Sequence, residues 1–211
     1  MSVKPIIFSG PMVRALLDGR KTMTRRVLKG NLLGDLDKVF QLDDGSWHHT
    51  ASDGSHMSPV SVPYICGDLL WVRESIDKVC ASAGDEVAYM ADWRGDPRGL
   101  GWRPSIHMPR WASRLTLEVT DVRVERVQDI SEEDAKAEGA EYLTTPCDHP
   151  RHTCEEIGCA GTGYRLGFAD LWHSINEKRG FGWDANPWVV ALTFTIHKQN
   201  VADFMKKREA A

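Results

Sequence analysis

The chain has 211 residues, 42% hydrophobic and 27% charged, with 26 Lys and Arg against 30 Asp and Glu and a formal net charge of −4. At ~150 residues per domain this length fits one domain better than two, and the composition excludes collagen-like, wholly disordered and disulfide-scaffold chains. No run of ~18 apolar residues exists, so no membrane-spanning helix is expected, and Ile6-Ile7-Phe8 is too short an apolar run for a secretory signal.

In chain order, Pro11–Leu17 reads as a short helix, with Pro11 at its start, Gly19 as its stop and Met12, Ala15 and Leu16 on one face. Lys21–Leu28 alternates weakly, as a strand or an extended turn. Residues 30–64, rich in Gly, Asp, Ser and Pro, read as an irregular insertion with a hairpin at Asp43-Asp44-Gly45. Strands are expected at Leu69–Val72 and Glu86–Ala91, followed by a loop at Gly95–Gly99. Arg114–Val127 alternates as a long strand with a bend. Ser131–Gly139 is a short helix, with Ser131 as N-cap, acids in the first turn and Gly139 as the stop. Residues 143–163 form a second insertion. Tyr164–Asn176 places Tyr164, Phe168, Leu171, Trp172 and Ile175 at helical spacing, Trp188–Ile196 is a closing strand, and Lys198–Ala211 is a frayed amphipathic tail. Strands outnumber helices without a βαβ rhythm, so the expected class is α+β, a small mixed β-barrel with peripheral short helices.

Charge is uneven. Residues 1–30 hold Lys4, Arg14, Arg20, Lys21, Arg25, Arg26 and Lys29 against Asp18 alone, whereas residues 129–156 carry nine acids against Lys136 and Arg151. Two solvated faces would explain this, as would an anion-attracting patch faced by catalytic carboxylates. The stretch Gly19-Arg20-Lys21-Thr22-Met23-Thr24-Arg25-Arg26 sets a lysine beside hydroxyls and arginines. Held near cations, Lys21 can act as a base toward a hydroxyl, while the arginines fix phosphate or a carbonyl oxygen; the plainer reading is a basic surface turn. Glu74 ends an apolar strand and either enters a barrel mouth or pairs with Arg73 at the surface. Trp102–Arg114 alternates indoles with Arg103, His107, Arg110 and Arg114. Such a loop can stack a base and hold its phosphate, or plug the edge of the core.

There are 8 Trp against 6 Phe and 4 Tyr. Trp71 and Trp172 are expected in the core, Trp183 and Trp188 at a barrel end, and Trp102 and Trp111 as base-stacking surfaces; Trp47 and Trp93 carry no assignment. Five cysteines and no signal suggest a reduced, cytoplasmic protein, with Cys66 and Cys80 as core thiols. Cys147, Cys154, Cys159 and one histidine, His152, could assemble a structural zinc site that pins the second insertion. The spacing lacks C-x-x-C, and free thiols or a Cys154–Cys159 bridge are the alternatives. No other cofactor is called for, and oligomeric state is open.

Lys4–Phe8, Gly19–Arg26, Gly67-Asp68-Leu69-Leu70-Trp71-Val72-Arg73-Glu74 and Ile130–Gly139 together resemble the ASCH (activating signal cointegrator homology) family. The chain is similar in particular to longer members encoded by phages and prophages. The resemblance implies a PUA-like pseudo-barrel over residues 1–200 as a single domain, with insertions at about 30–64 and 140–163 and a tail at 201–211. It implies a cleft for a modified nucleoside, RNA or DNA. One branch comprises amidohydrolases that deacetylate N4-acetylcytidine, and its catalytic set falls on Lys21, Thr24 and Glu138, with Glu74 as a rival carboxylate. Arg20, Arg25, Arg26, Arg73, Trp102, Arg103, His107, Arg110 and Trp111 are the candidate substrate or nucleic-acid contacts. Other branches look like RNA-binding or ribonuclease-like proteins, so a binding module without amidohydrolase activity is the alternative.

Overall fold

The computed structural model describes residues 1–28, 36–51, 57–77, 87–96, 101–144 and 162–210. Its elements in chain order are β1 (Val3–Ile7), α1 (Gly10–Leu17), β2 (Met23–Val27), β3 (Leu36–Gln41), β4 (Trp47–Ala51), β5 (Met57–Val60), β6 (Leu69–Arg73), β7 (Ile76–Asp77), β8 (Ala88–Tyr89), β9 (Trp102–Arg103), β10 (Thr116–Arg126), α2 (Glu132–Ala137), β11 (Leu143–Thr144), β12 (Thr162–Gly163), α3 (Tyr164–Asn176), β13 (Trp188–His197) and α4 (Val201–Glu209). Parallel and antiparallel pairings occur together, with short helices between strands, and the class is α+β. The chain divides into two compact units. The first comprises Met1–Thr22, Cys66–Asp121 and Thr193–Ala211, the second Met23–Ile65 and Val122–Leu192.

In the first unit the strand order is β1-β6-β10-β13. β1 runs parallel to β6, with Val3 opposite Leu69 and Ile7 opposite Arg73, and β10 pairs antiparallel to β6 with Thr116 opposite Trp71. Leu69, Leu70 and Val72 are all buried, as are Leu115, Leu117 and Val119, so these strands form the middle of the core. The first residues are tied down by the buried Asp68, whose carboxylate accepts from Ser2 N, Ser2 Oγ and Lys4 Nζ at 2.7, 2.8 and 2.6 Å. Helix α1 starts and stops as its sequence indicates, with Pro11 in the first turn and Gly19 left-handed at φ 74°. It buries Val13, Ala15 and Leu16, however, and leaves Met12 only half-buried. A small sheet, β8-β7-β9, lies in the same unit. Of the expected strand at Glu86–Ala91, Ala88–Tyr89 forms β8, and Glu86 lies outside the described residues.

In the second unit β10, β13 and β2 are neighbours in that order, because β10 and β13 each change units part-way along. The expected irregular insertion contains a three-stranded meander, β3-β4-β5, which turns at the foreseen Asp43-Asp44-Gly45 with Gln41 opposite Trp47. Asp, Ser and Gly interrupt the alternation there, which points away from strands, but paired neighbours impose them. Helix α2 has the cap expected of it, with Ser131 Oγ accepting from Asp134 N at 3.1 Å. Behind it Val127, Ile130, Ala135, Ala140, Phe168, Trp172 and Val189 make one apolar cluster. Phe168, Trp172 and Asn176 form the buried stripe of α3, four residues apart. Leu171 and Ile175, expected on the apolar face, stand about 100° round the helix from that stripe and are exposed. Trp172 Nε1 donates to Phe181 O at 2.8 Å, and Trp183 packs edge-on against Phe168.

Two further expectations need correction. Cys66 is exposed with a free thiol, because it sits in the turn before β6 rather than on the strand. Trp71 is half-buried, with the Arg73 guanidinium 5.3 Å from its ring centre, and so belongs to the rim of the core. Cys80 lies outside the described residues. Among the described residues no helix is long and apolar enough to cross a membrane.

Candidate nucleic-acid interface and catalytic residues

The Gly19–Arg26 stretch is not a solvated basic turn. Arg20 alone fits that description, exposed and paired with Asp18 at 3.1 Å. Lys21 is 1% exposed, and in the first unit its Nζ lies 5.7 Å from the centre of the Phe8 ring. Thr24 and Arg25 are buried on β2, in the second unit.

Arg25 is the centre of a charge cluster within that second unit. Its Nη2 donates to Glu125 Oε1 at 2.6 Å and Asp134 Oδ2 at 2.7 Å, its Nε to Glu125 at 2.9 Å, and its Nη1 to Glu138 Oε1 at 3.3 Å. The Phe168 ring covers it at 5.8 Å. Arg123 completes the cluster, donating to Asp134 at 2.6 Å. Expected as a phosphate contact, Arg25 instead spends its donors on three carboxylates, because β10 and α2 bring acids to β2. Burial of Asp134 opposes its charge, but hydrogen bonds from Arg123 and Arg25 outweigh this and hold the carboxyl below its ordinary range. Arg26 is half-buried. Desolvation lowers its proton affinity, while the charges of Glu138 and Tyr64 pull the other way. Glu138 is buried at the end of α2 and is held there by Arg25.

Glu74, the rival carboxylate, is buried in the first unit and is gripped by a residue far along the chain. Arg114 donates to it through Nε at 2.8 Å and Nη2 at 2.9 Å, a two-pronged grip that gives an arginine–carboxylate pair its geometric definition. Arg114 also bonds Asp92 and lies 3.9 Å from the centre of the Tyr89 ring. The local Arg73–Glu74 pair considered from sequence does not form. Arg73 donates instead to Ser105 O at 3.0 Å and to Ile106 O. Desolvation raises the Glu74 carboxyl above its ordinary range despite the lowering influence of Arg114. With the folded value above the unfolded one, the favourable contribution of Glu74 is complete below ~pH 4.3 and is lost as pH rises through the folded value. Side-chain carboxyl NMR should find Glu74 titrating above ordinary glutamates, and higher still in Arg114→Lys; titration at or below the ordinary value would contradict the arrangement.

The Trp102–Arg114 loop is held from several sides in the first unit. Arg73 fixes the turn at Ser105–His107, and Met108, 1% exposed, anchors its end in the core. Trp102 is half-buried and meets Trp93 edge-on at 5.9 Å, while Arg103, its neighbour on β9, is half-buried too. Ile106, His107, Arg110 and Trp111 are exposed, and Trp111 is the most open aromatic of the described residues at 65%. Sequence reasoning left three roles in this region unassigned: Trp93 edge-on to Trp102, Arg114 as the partner of Glu74, and Asn200 on the turn at Arg110–Ser113, the last two reaching across 40 and 87 residues.

Among the described residues no group of His, Cys, Asp and Glu could hold a metal ion. The proposed zinc ligands Cys147, His152, Cys154 and Cys159 lie outside those residues.

No family model and no curated protein matches the chain. Among solved structures it is similar to an ASCH domain from Lactobacillus crispatus, at 11% identity over 92% of this chain and 79% of that one, with a TM-score of 0.40. The chain is also similar to a DUF984 protein from Enterococcus faecalis, at 11% identity over 97% of this chain and 81% of that one, with a TM-score of 0.42.

Proposed function

We propose that this protein binds single-stranded nucleic acid through the Trp102–Arg114 loop. The observation that carries the reading is Trp111, an indole 65% exposed and directly preceded by the exposed Arg110. The exposed ring is free to be covered by a ligand, and burying its apolar face on binding is favourable. A base has a π-face of the right size, and an adjacent guanidinium suits its phosphate. Stacking of this kind needs an unpaired base, which favours single strands over duplex. The test is a titration of a fluorescein-labelled single-stranded RNA or DNA, followed by anisotropy at several salt concentrations. Saturable binding that weakens as salt rises is expected. No retention at low salt by any oligonucleotide would sink the reading.

A second reading is favoured by burial of the three residues to which the family resemblance points. Lys21, Thr24 and Glu138 are 1%, 2% and 5% exposed, which a solvated turn would not produce. As an N4-acetylcytidine amidohydrolase, the protein would use Thr24 Oγ to attack the acetyl carbonyl, with Lys21 taking the hydroxyl proton. Glu138 would orient the leaving amine, which takes the proton held by Lys21 as the C–N bond breaks, Arg26 or a backbone N–H would steady the oxyanion, and water would release acetate from the acylated threonine. Acetate release from N4-acetylcytidine, lost in Lys21→Ala and Thr24→Ala variants that still fold, is the expected result. Parent-level activity in either variant would refute it.

A further inference from the structure

The C-terminal helix looks from its sequence like a frayed tail, yet its first residue contacts reach straight into the exposed loop. Asn200 caps α4, its Oδ1 accepting from Ala202 N at 2.9 Å. Its amide nitrogen is turned the other way. It donates to Arg110 O at 2.9 Å, Trp111 O at 3.1 Å and Ser113 O at 2.8 Å. One amide group, with its two N–H donors, thus reaches three carbonyls of the turn that carries Trp111, from 87 to 90 residues away. A second link reinforces the first: Arg110 Nη2 lies 3.8 Å from Met205 Sδ, on the same helix. The buried Ser113, whose Oγ donates to Val72 O at 2.9 Å, fastens the far end of the turn to β6.

This construction fits a particular task. A turn at the surface has few neighbours to fix its conformation, and ordering it at the moment of binding costs affinity. A turn already held by its own carbonyls presents the indole face and the guanidinium in a set relation, one suited to a base and the phosphate beside it. We propose that Asn200, at the start of α4, is a positioning residue that sets the Trp111 indole against one base of a single strand. The inference rests on the single-strand-binding reading above. Asn200 itself touches no ligand; it acts through the turn.

The test separates the two claims. Asn200→Ser keeps a neutral helix cap but removes the amide donors. Binding of a labelled single-stranded oligonucleotide is expected to weaken about 5-fold or more, the lower end of what one stacked base contributes, with the salt dependence unchanged because no phosphate contact is removed. In protein carrying 5-fluorotryptophan, the fluorine resonance that Trp111→Phe abolishes should move on oligonucleotide addition in the parent and move less in Asn200→Ser. In a Trp111→Ala background the Asn200→Ser change should add almost nothing, since it works through that indole. Should Asn200→Ser lose the parent's melting transition, Asn200→Thr, with the same cap chemistry, replaces it. Parent-like binding by Trp111→Ala would fail the single-strand reading itself. Weakened binding by Trp111→Ala together with parent-like binding by Asn200→Ser, or with additive losses in the double variant, would overturn the positioning role alone.

Discussion

Replacing Trp111 by Ala is expected to weaken single-strand binding roughly 5- to 150-fold, the range spanned by one stacked base at ~1–3 kcal/mol. The variant should fold as well as the parent, because the ring removed is 65% exposed and the turn is held through backbone carbonyls that Ala retains. Anisotropy titration beside a thermal melt reads both at once. Arg110→Ala makes a useful companion. It should weaken binding to all sequences alike and reduce the salt slope by about one, as loss of a single phosphate contact does. Trp102→Ala should behave differently, since that indole is half-buried against Trp93 and its loss disturbs packing as well as any stacking. Unchanged affinity in Trp111→Ala would leave the exposed indole without the role argued for it.

Removal of Arg25 is expected to cause the largest loss of stability. Arg25→Met keeps much of the volume but leaves Glu125, Asp134 and Glu138 facing a vanished cation. Breaking a buried pair from one side costs ~3–5 kcal/mol, because the surviving charges stay desolvated. In a chain of this size that is a fall of about 6–20 °C in melting temperature. Arg25→Lys should recover only part of it, since an ammonium cannot serve three carboxylates through a planar fork. The pH dependence has a definite sign. Asp134 is held below its ordinary value in the folded state, so its contribution is present above the unfolded value of ~3.9 and is lost as pH falls through the folded one. The deficit of Arg25→Met should therefore shrink in acid. A deficit under ~1 kcal/mol that ignores pH would show that Arg25 does not hold the cluster together.

Much of the architecture is legible in the residues themselves. Pro11 and Gly19 bracket α1, Ser131 and Gly139 bracket α2, and the apolar runs at Leu69 and Trp188 are strands. These features are local: a cap, a stop or an alternating run depends on residues a few positions apart. The β3-β4-β5 meander was less legible, for its strands are made by pairing rather than by propensity. The class, α+β with mixed strand pairings, followed from counting elements; the division into two compact units did not, since both exchange segments along the chain.

The candidate sites divide along the same line. Sequence alone marked Lys21 among hydroxyls and arginines, Glu74 at a strand end, and the alternation of Trp and Arg between Trp102 and Arg114, because unusual residue types stand close together there, while Glu138 came only from the family resemblance. Only the tertiary structure decided which of these charges face water and which face each other. Arg25 turned inward because Glu125, Asp134 and Glu138 arrive from β10 and the end of α2, and Glu74 took Arg114 rather than its neighbour Arg73. Trp111 stayed outside while Trp172, equally apolar, went in; and Asn200, unremarkable in the sequence, became the clamp on the turn. Burial and ion pairing are properties of what comes close in space, and partners 40 to 113 residues apart leave no local pattern from which to read them.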